Sequence, residues 1–228
     1  LRKYRRWKHM YGSLENFPLR QINFVKTRTS VLKAVTHLLK EKKFEEITVD
    51  EICQATQISR GTFFNYFPSK EYIFYYYLRI FTIKITQRIK HWDPNVGFRK
   101  QLEQLYIWFD EESQYPEFIS AYIKYLLSDV PMKDDIKLTA AEFVYFFTDI
   151  NDENAYAYYN NLTILDIIKN LIDHANEKEK LPKKLESALA PQILLAILLS
   201  PFVICKMSDN QLSSLEVLNM ILDQVLQN

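Results

Sequence analysis

The spacing of the apolar residues constrains this chain more than any other feature. Val31, Leu32, Val35, Leu38 and Leu39 form one stripe at intervals of three and four, and Leu212, Leu215, Leu218, Leu222 and Val225 form another. That is the period of an α-helix packed on one face. The chain has only 3 Gly and 8 Pro, and no Asn-Gly or Asp-Gly separates alternating runs, so no hairpin signal opposes that period. The fold class is therefore all-α. At 228 residues and 48% hydrophobic, the chain has material for a sizeable core in one or two domains.

The formal net charge of +1 hides a division. Residues 1–90 hold 18 Lys and Arg against 7 Asp and Glu, whereas the remainder holds 11 against 21. Halves of opposite sign suit different partners, and the basic half suits a polyanion. Cys53 and Cys205 lie in apolar helical contexts without CxxC spacing. Buried, reduced thiols in a cytoplasmic protein are expected. The segment LRKYRRWKHM is basic, but no apolar run follows it as a secretory signal requires. From Ser187 to Cys205, 19 residues carry no charge, yet Pro191, Gln192, Ser200 and Pro201 interrupt them. The remaining apolar stretch is too short to span a bilayer, and a helix buried on all sides is expected there.

Along the chain, a first helix fits about 24–42. Thr48 opens a short second helix, because T-V-D-E is a capping box in which Thr48 and Glu51 satisfy each other's amides. It carries Ile52 and Cys53 and ends near Thr56. After a turn at Gln57 and Ile58, Ser59 caps a third helix from Arg60 to about Phe67, which Pro68 closes. Ser69 caps a long fourth helix, Lys70 to Trp92. Further helices are expected at about 98–113, 116–128, 134–151, 153–178, 186–206 and 211–227.

Two short helices joined by a tight turn, behind a longer packing helix, form a helix-turn-helix. In such a unit the amino-terminal end of the second short helix enters the major groove. At 100° per residue, Phe63 and Phe67 face the core with Ile52 and Ile58. Gly61, Thr62 and Asn65 point away, while Arg60, Phe64 and Tyr66 border that outer face. The chemistry suits base edges: Arg bridges guanine acceptors, Asn pairs with adenine, and Thr or Phe meets a thymine methyl. Lys70, beside the free amides that open the fourth helix, suits a phosphate.

From Thr27 to about Leu78 the sequence resembles the DNA-binding domain of the TetR family of bacterial transcriptional regulators. The resemblance rests on TRTSVLKAVTHLL, on F-x-x-I-T-V-x-x-I-C and on ISRGTFFNYFPSKEYIF. It implies that Arg60, Gly61 and Thr62 touch bases, and that Thr48, Phe64, Tyr66 and Lys70 touch the backbone or a thymine methyl. The family usually carries Tyr where Phe64 stands, so a phosphate hydrogen bond is lost here. It usually carries Gly where Lys43 and Gln57 stand, and left-handed geometry at either would cost about 1 kcal/mol. The implied organisation is a basic extension (1–23), a helix-turn-helix domain (24–70) and a helical ligand-binding and dimerisation domain (71–228). A homodimer through 186–206 and 211–227 would form a four-helix bundle and would recognise a near-palindromic operator. A small molecule would release this repressor from its DNA.

Several alternatives stay open. The basic extension is either an arm on DNA or a solvated tail. Tyr106, Trp108, Phe109, Tyr122, Tyr125, Phe146 and Tyr159 are candidates to line a ligand pocket, but aromatic residues at helical spacing are first of all packing. Asp110 and Glu111 would suit a cationic aromatic ligand. The His residues at 9, 37, 91 and 174 are scattered, and neither a Gly-rich phosphate loop nor a nucleophile elbow occurs. His174 between Asp173 and Glu177 could contribute to a metal site, but one His with two acids on a solvated helix is usually nothing more. No catalysis, cofactor or metal is expected. A DNA-binding factor that is constitutive or controlled by a protein partner remains the alternative to a ligand-controlled one.

Overall fold

A computed structural model describes residues 12–93, 95–112, 116–127, 136–148, 153–178, 181–207 and 212–227. Among the described residues all regular structure is helical. The α-helices are α1 (Leu19–Leu38), α2 (Val49–Thr56), α3 (Arg60–Tyr66), α4 (Glu71–Lys90), α5 (Phe98–Glu112), α6 (Pro116–Leu126), α7 (Ala140–Phe146), α8 (Glu153–Asn161), α9 (Ile164–Lys178), α10 (Ala190–Met207) and α11 (Ser214–Val225). Short 3-10 turns occupy Leu14–Asn16, Phe44–Glu46 and Lys183–Leu185.

Several boundaries differ from expectation, each for a local reason. The first helix starts at Leu19 behind Pro18, whose fixed φ suits a helix entrance, and it stops at Leu38. Residues 14–23 therefore belong to the fold: Leu14, Phe17 and Ile22 pack with Val25, Ala141 and Val144. The helix expected at 134–151 is confined to α7, where Thr139 and Glu142 form a capping box. The helix expected at 153–178 is two helices, because Thr163 and Asp166 restart it: Asp166 Oδ2 accepts from the Thr163 amide at 2.9 Å. Ser213 and Glu216 cap α11 in the same way.

The chain divides into two compact units. One comprises the described residues up to Ile83 together with Ser120–Asn161; the other comprises Lys84–Ile119 and Leu162–Asn228. Residues 120–161 thus cluster with the helix-turn-helix in the first unit. The first unit is centred on Ile52, Phe63, Phe67, Ile73 and Tyr76, all fully buried. Within this core Arg28 Nη1 lies 3.0 Å from Glu142 Oε1, and the Glu142 side chain is 0% exposed. The guanidinium stands 3.9 Å from the Tyr76 ring centroid and 5.0 Å from that of Phe67. The other Glu142 oxygen accepts from the Thr139 amide and hydroxyl at 2.8 and 2.9 Å. Burial, and then the Glu142 charge, push the Tyr76 phenol well above its ordinary range.

In the second unit α5, α9, α10 and α11 bury Leu102, Leu105, Ile168, Leu194, Leu198 and Leu218. Arg99 ties α5 to α11 through Asp223 at 2.7 Å, and it also meets Glu103 at 2.9 Å. The uncharged run forms α10, and it is not buried on all sides: Ile193 is 44% exposed and Met207 81%. By length and composition α10 could cross a bilayer, so the expectation that its prolines leave too short a stretch is corrected. Pro191 lies in the first turn, where the absent N–H costs nothing, and Pro201 stands inside continuous helix. Pro201 cannot donate to the Ile197 carbonyl, but the Ser200 hydroxyl does so instead, at 2.8 Å.

Candidate nucleic-acid interface

The two short helices are fixed by their caps and their turn. The Thr48 hydroxyl accepts from the Glu51 amide at 3.2 Å, and Glu51 Oε2 accepts from the Thr48 amide at 2.8 Å. The Lys42 ammonium also binds Glu51, and with the Thr48 donors it lowers the Glu51 carboxyl to about 2. Ser59 Oγ accepts from the Thr62 amide at 3.0 Å and lies 2.9 Å from the Thr62 hydroxyl. Between the helices Gln57 adopts φ 56°, ψ 37°, the left-handed geometry that closes α2. Lys43, by contrast, has φ −71° and ψ 155°, ordinary extended backbone, so the strain considered there does not arise.

Core and outer face of α3 separate along the expected line. Phe63 and Phe67 are 0% exposed. Arg60, Gly61 and Asn65 are exposed and Thr62 is half-buried. Phe64 is 45% exposed, with Phe63 packed edge-on against it at 5.3 Å. The Tyr66 ring is half-buried against Phe24 of α1, with centroids 5.1 Å apart. A Cβ added at Gly61 would meet nothing closer than Ser59 Oγ at 3.8 Å. The fold therefore does not require glycine there, whereas close approach by an external partner would.

Two of the expected contact residues already have partners. Lys70 Nζ donates to the carbonyls of Phe44, Glu45 and Ile47 at 2.7, 3.1 and 2.8 Å, and it stands 4.8 Å from the Phe44 ring centroid. An ammonium has three hydrogens, so these carbonyls take its donors. Lys70 fastens the turn before α2 to the start of α4, and the expected phosphate contact would have to displace these bonds. Arg60 Nη1 lies 3.0 Å from both carboxylate oxygens of Asp50 in the first turn of α2. Neither Asp50, Phe24 nor the Arg28–Glu142 pair was singled out in the sequence, because contacts across helices leave no mark in local spacing.

The aromatic pocket candidates fall into both units. Tyr106 packs on Phe202 at 5.2 Å, and Trp108 is stacked on Trp92 at 5.1 Å with Arg88 over its ring at 5.5 Å. Phe109 is buried. Of the acids beside them, Glu111 pairs with Arg88 at 3.1 Å. In the first unit Tyr122 lies 6.3 Å from Phe74, Phe146 lies 6.2 Å from Tyr76, and Tyr159 lies 6.5 Å from Phe143. The Tyr125 side chain and the basic stretch 1–11 lie outside the described residues.

Comparison with known proteins bears on the amino-terminal part most directly. Residues 31–76 match the family of bacterial regulatory proteins, tetR family. The uncharacterized HTH-type transcriptional regulator YuxN of Bacillus subtilis (strain 168) is 32% identical over 99 residues, covering 41% of this chain and 33% of that protein. The HTH-type transcriptional regulator EthR of Mycolicibacterium smegmatis (strain ATCC 700084 / mc(2)155) is 50% identical over 42 residues, 18% of this chain and 19% of that protein. The HTH-type dhaKLM operon transcriptional activator DhaS of Lactococcus lactis subsp. lactis (strain IL1403) is 24% identical over 178 residues, 73% of this chain and 90% of that protein. The matches thus span about a third and a fifth of YuxN and EthR. Residues 31–76, which span the helix-turn-helix, are thus the part of the chain that is similar to the tetR family of bacterial regulatory proteins.

Proposed function

We propose that this chain is a cytoplasmic transcriptional regulator that binds a near-palindromic operator as a homodimer and is released from it, as a repressor, by a small molecule. The carrying observation is the outer face of α3. Arg60, Gly61 and Asn65 are exposed on a helix anchored by Phe63 and Phe67, a polar edge of the width the major groove accepts. The dimer reading is supported by α10 and α11, where Ile193, Val203, Ile204, Met207 and Met220 are exposed. Apolar surface of that extent on neighbouring helices calls for a partner, and a second copy gives a two-fold bundle.

DhaS is named an activator. Of the aromatic side chains expected around a ligand, Tyr106, Trp108, Tyr122, Phe146 and Tyr159 each pack on another aromatic ring, and this favours, as a second reading, a DNA-binding factor not controlled by a small ligand. One experiment addresses each part. A duplex selected from a random library by the purified protein should bind more tightly than a shuffled duplex, and sedimentation should give a dimer that Ile193→Asp converts to monomer. If selection enriches no sequence, the DNA reading fails; if Ile193→Asp leaves the dimer intact, the α10 interface fails. A compound library in which nothing both stabilises the protein and changes its DNA affinity would favour the second reading.

A further inference from the structure

Arg60 is held by an acid that no DNA-binding reading of the sequence calls for. Its Nη1 lies 3.0 Å from both Oδ1 and Oδ2 of Asp50, with side chains 63% and 66% exposed. An exposed pair of this kind adds little to stability, because solvent screens it and two long side chains must be ordered. Its position is what gives it weight. Asp50 lies in the first turn of α2 and Arg60 opens α3, so the bond fixes the guanidinium at the end of α3 that the groove would receive.

We infer that Asp50 is a specificity-determining residue: it positions Arg60 for bidentate contact with one base and penalises phosphate contact by the same arginine. This rests on the DNA-binding reading proposed above. The guanidinium carries five N–H donors, and the bond to Asp50 uses only Nη1, leaving the Nε–Nη2 edge for two bonds to a base. A pre-oriented side chain loses less conformational freedom on binding, so contact with the matching base strengthens. The carboxylate meanwhile repels the phosphates that an unrestrained arginine would contact on any sequence. Asp50 thereby exchanges general affinity for discrimination.

The experiment uses the full chain, the library-selected duplex and a shuffled duplex of the same composition, with binding measured for wild type, Asp50→Asn, Arg60→Ala and the double variant. Melting temperature confirms that each variant is folded. Asp50→Asn should lower the ratio of selected to shuffled affinity by about tenfold, within the worth of one bidentate base contact, with shuffled binding unchanged or tighter. In the Arg60→Ala background the same substitution should change the ratio by less than about twofold, since the side chain that Asp50 orients is gone. A ratio unaffected by Asp50→Asn overturns the inference, and so does an equal loss in both backgrounds, which would place the effect in the fold of α2. Failure of the underlying reading looks different: no duplex is enriched, or Arg60→Ala itself leaves the ratio unchanged.

Discussion

Two arginine–carboxylate pairs in the same unit show the same separation, 3.0 Å, and serve opposite ends. Arg28 and Glu142 are enclosed, with side chains 8% and 0% exposed and aromatic rings against the guanidinium. Arg60 and Asp50 stand in solvent at 63% and 66%. Inside, neither charge can be rehydrated if its partner is lost, so the pair fixes α7 against α1. Outside, water and counterions replace either partner at little cost, so the pair orients a side chain without holding the fold together. Distance alone does not separate structure from function; surroundings do.

The enclosed pair should give the largest effect. Arg28→Ala should destabilise the protein by about 3–5 kcal/mol in chemical denaturation, because it strands the Glu142 charge. A loss near that of an exposed pair would show that the enclosure matters less than argued. Lys70→Met comes next: charge-assisted bonds to three carbonyls disappear, and a stability loss of about 1.5–3 kcal/mol is expected. DNA affinity that fell with stability unchanged would restore Lys70 as a phosphate contact. Arg60→Ala should cost less than about 1 kcal/mol in stability. The same substitution should weaken binding to the selected duplex by about 1–3 kcal/mol more than to a shuffled one.

The smallest effect concerns Glu51, whose carboxyl is lowered from 4.5 to about 2 by Lys42 and then Thr48. A depressed carboxyl lends stability that is fully present above about pH 4.5 and is lost as pH falls toward 2. The acid limb of melting temperature against pH should be flatter in Glu51→Gln than in wild type.

Much of the first unit was legible because its signals are local. Thr48 with Glu51, Ser59 and Pro68 mark helix ends within a few residues, and the structure follows them. The same capping logic was present at Thr139–Glu142, Thr163–Asp166 and Ser213–Glu216, yet continuous apolar periodicity across 134–151 and 153–178 concealed the first two. The outer face of α3 was readable from 100° geometry. The engagement of Lys70 and Arg60 was not, since Phe44, Glu45, Ile47 and Asp50 reach them only after the helices have packed. α10 misled in another way: composition describes a helix as apolar but does not say how much of it the rest of the chain covers.

Gln57 carries a consequence beyond its strain. A side chain held in left-handed geometry narrows the backbone angles open to the turn, where glycine would allow a wide basin on both sides of zero φ. Fewer accessible angles mean that α3 can swing less against α2, and that the unfolded chain has fewer conformations to regain. In engineering terms the turn is a stiff joint rather than a loose one. A reading head mounted on it loses less orientational freedom when it docks, so Gln57→Gly would soften recognition before it softened the fold.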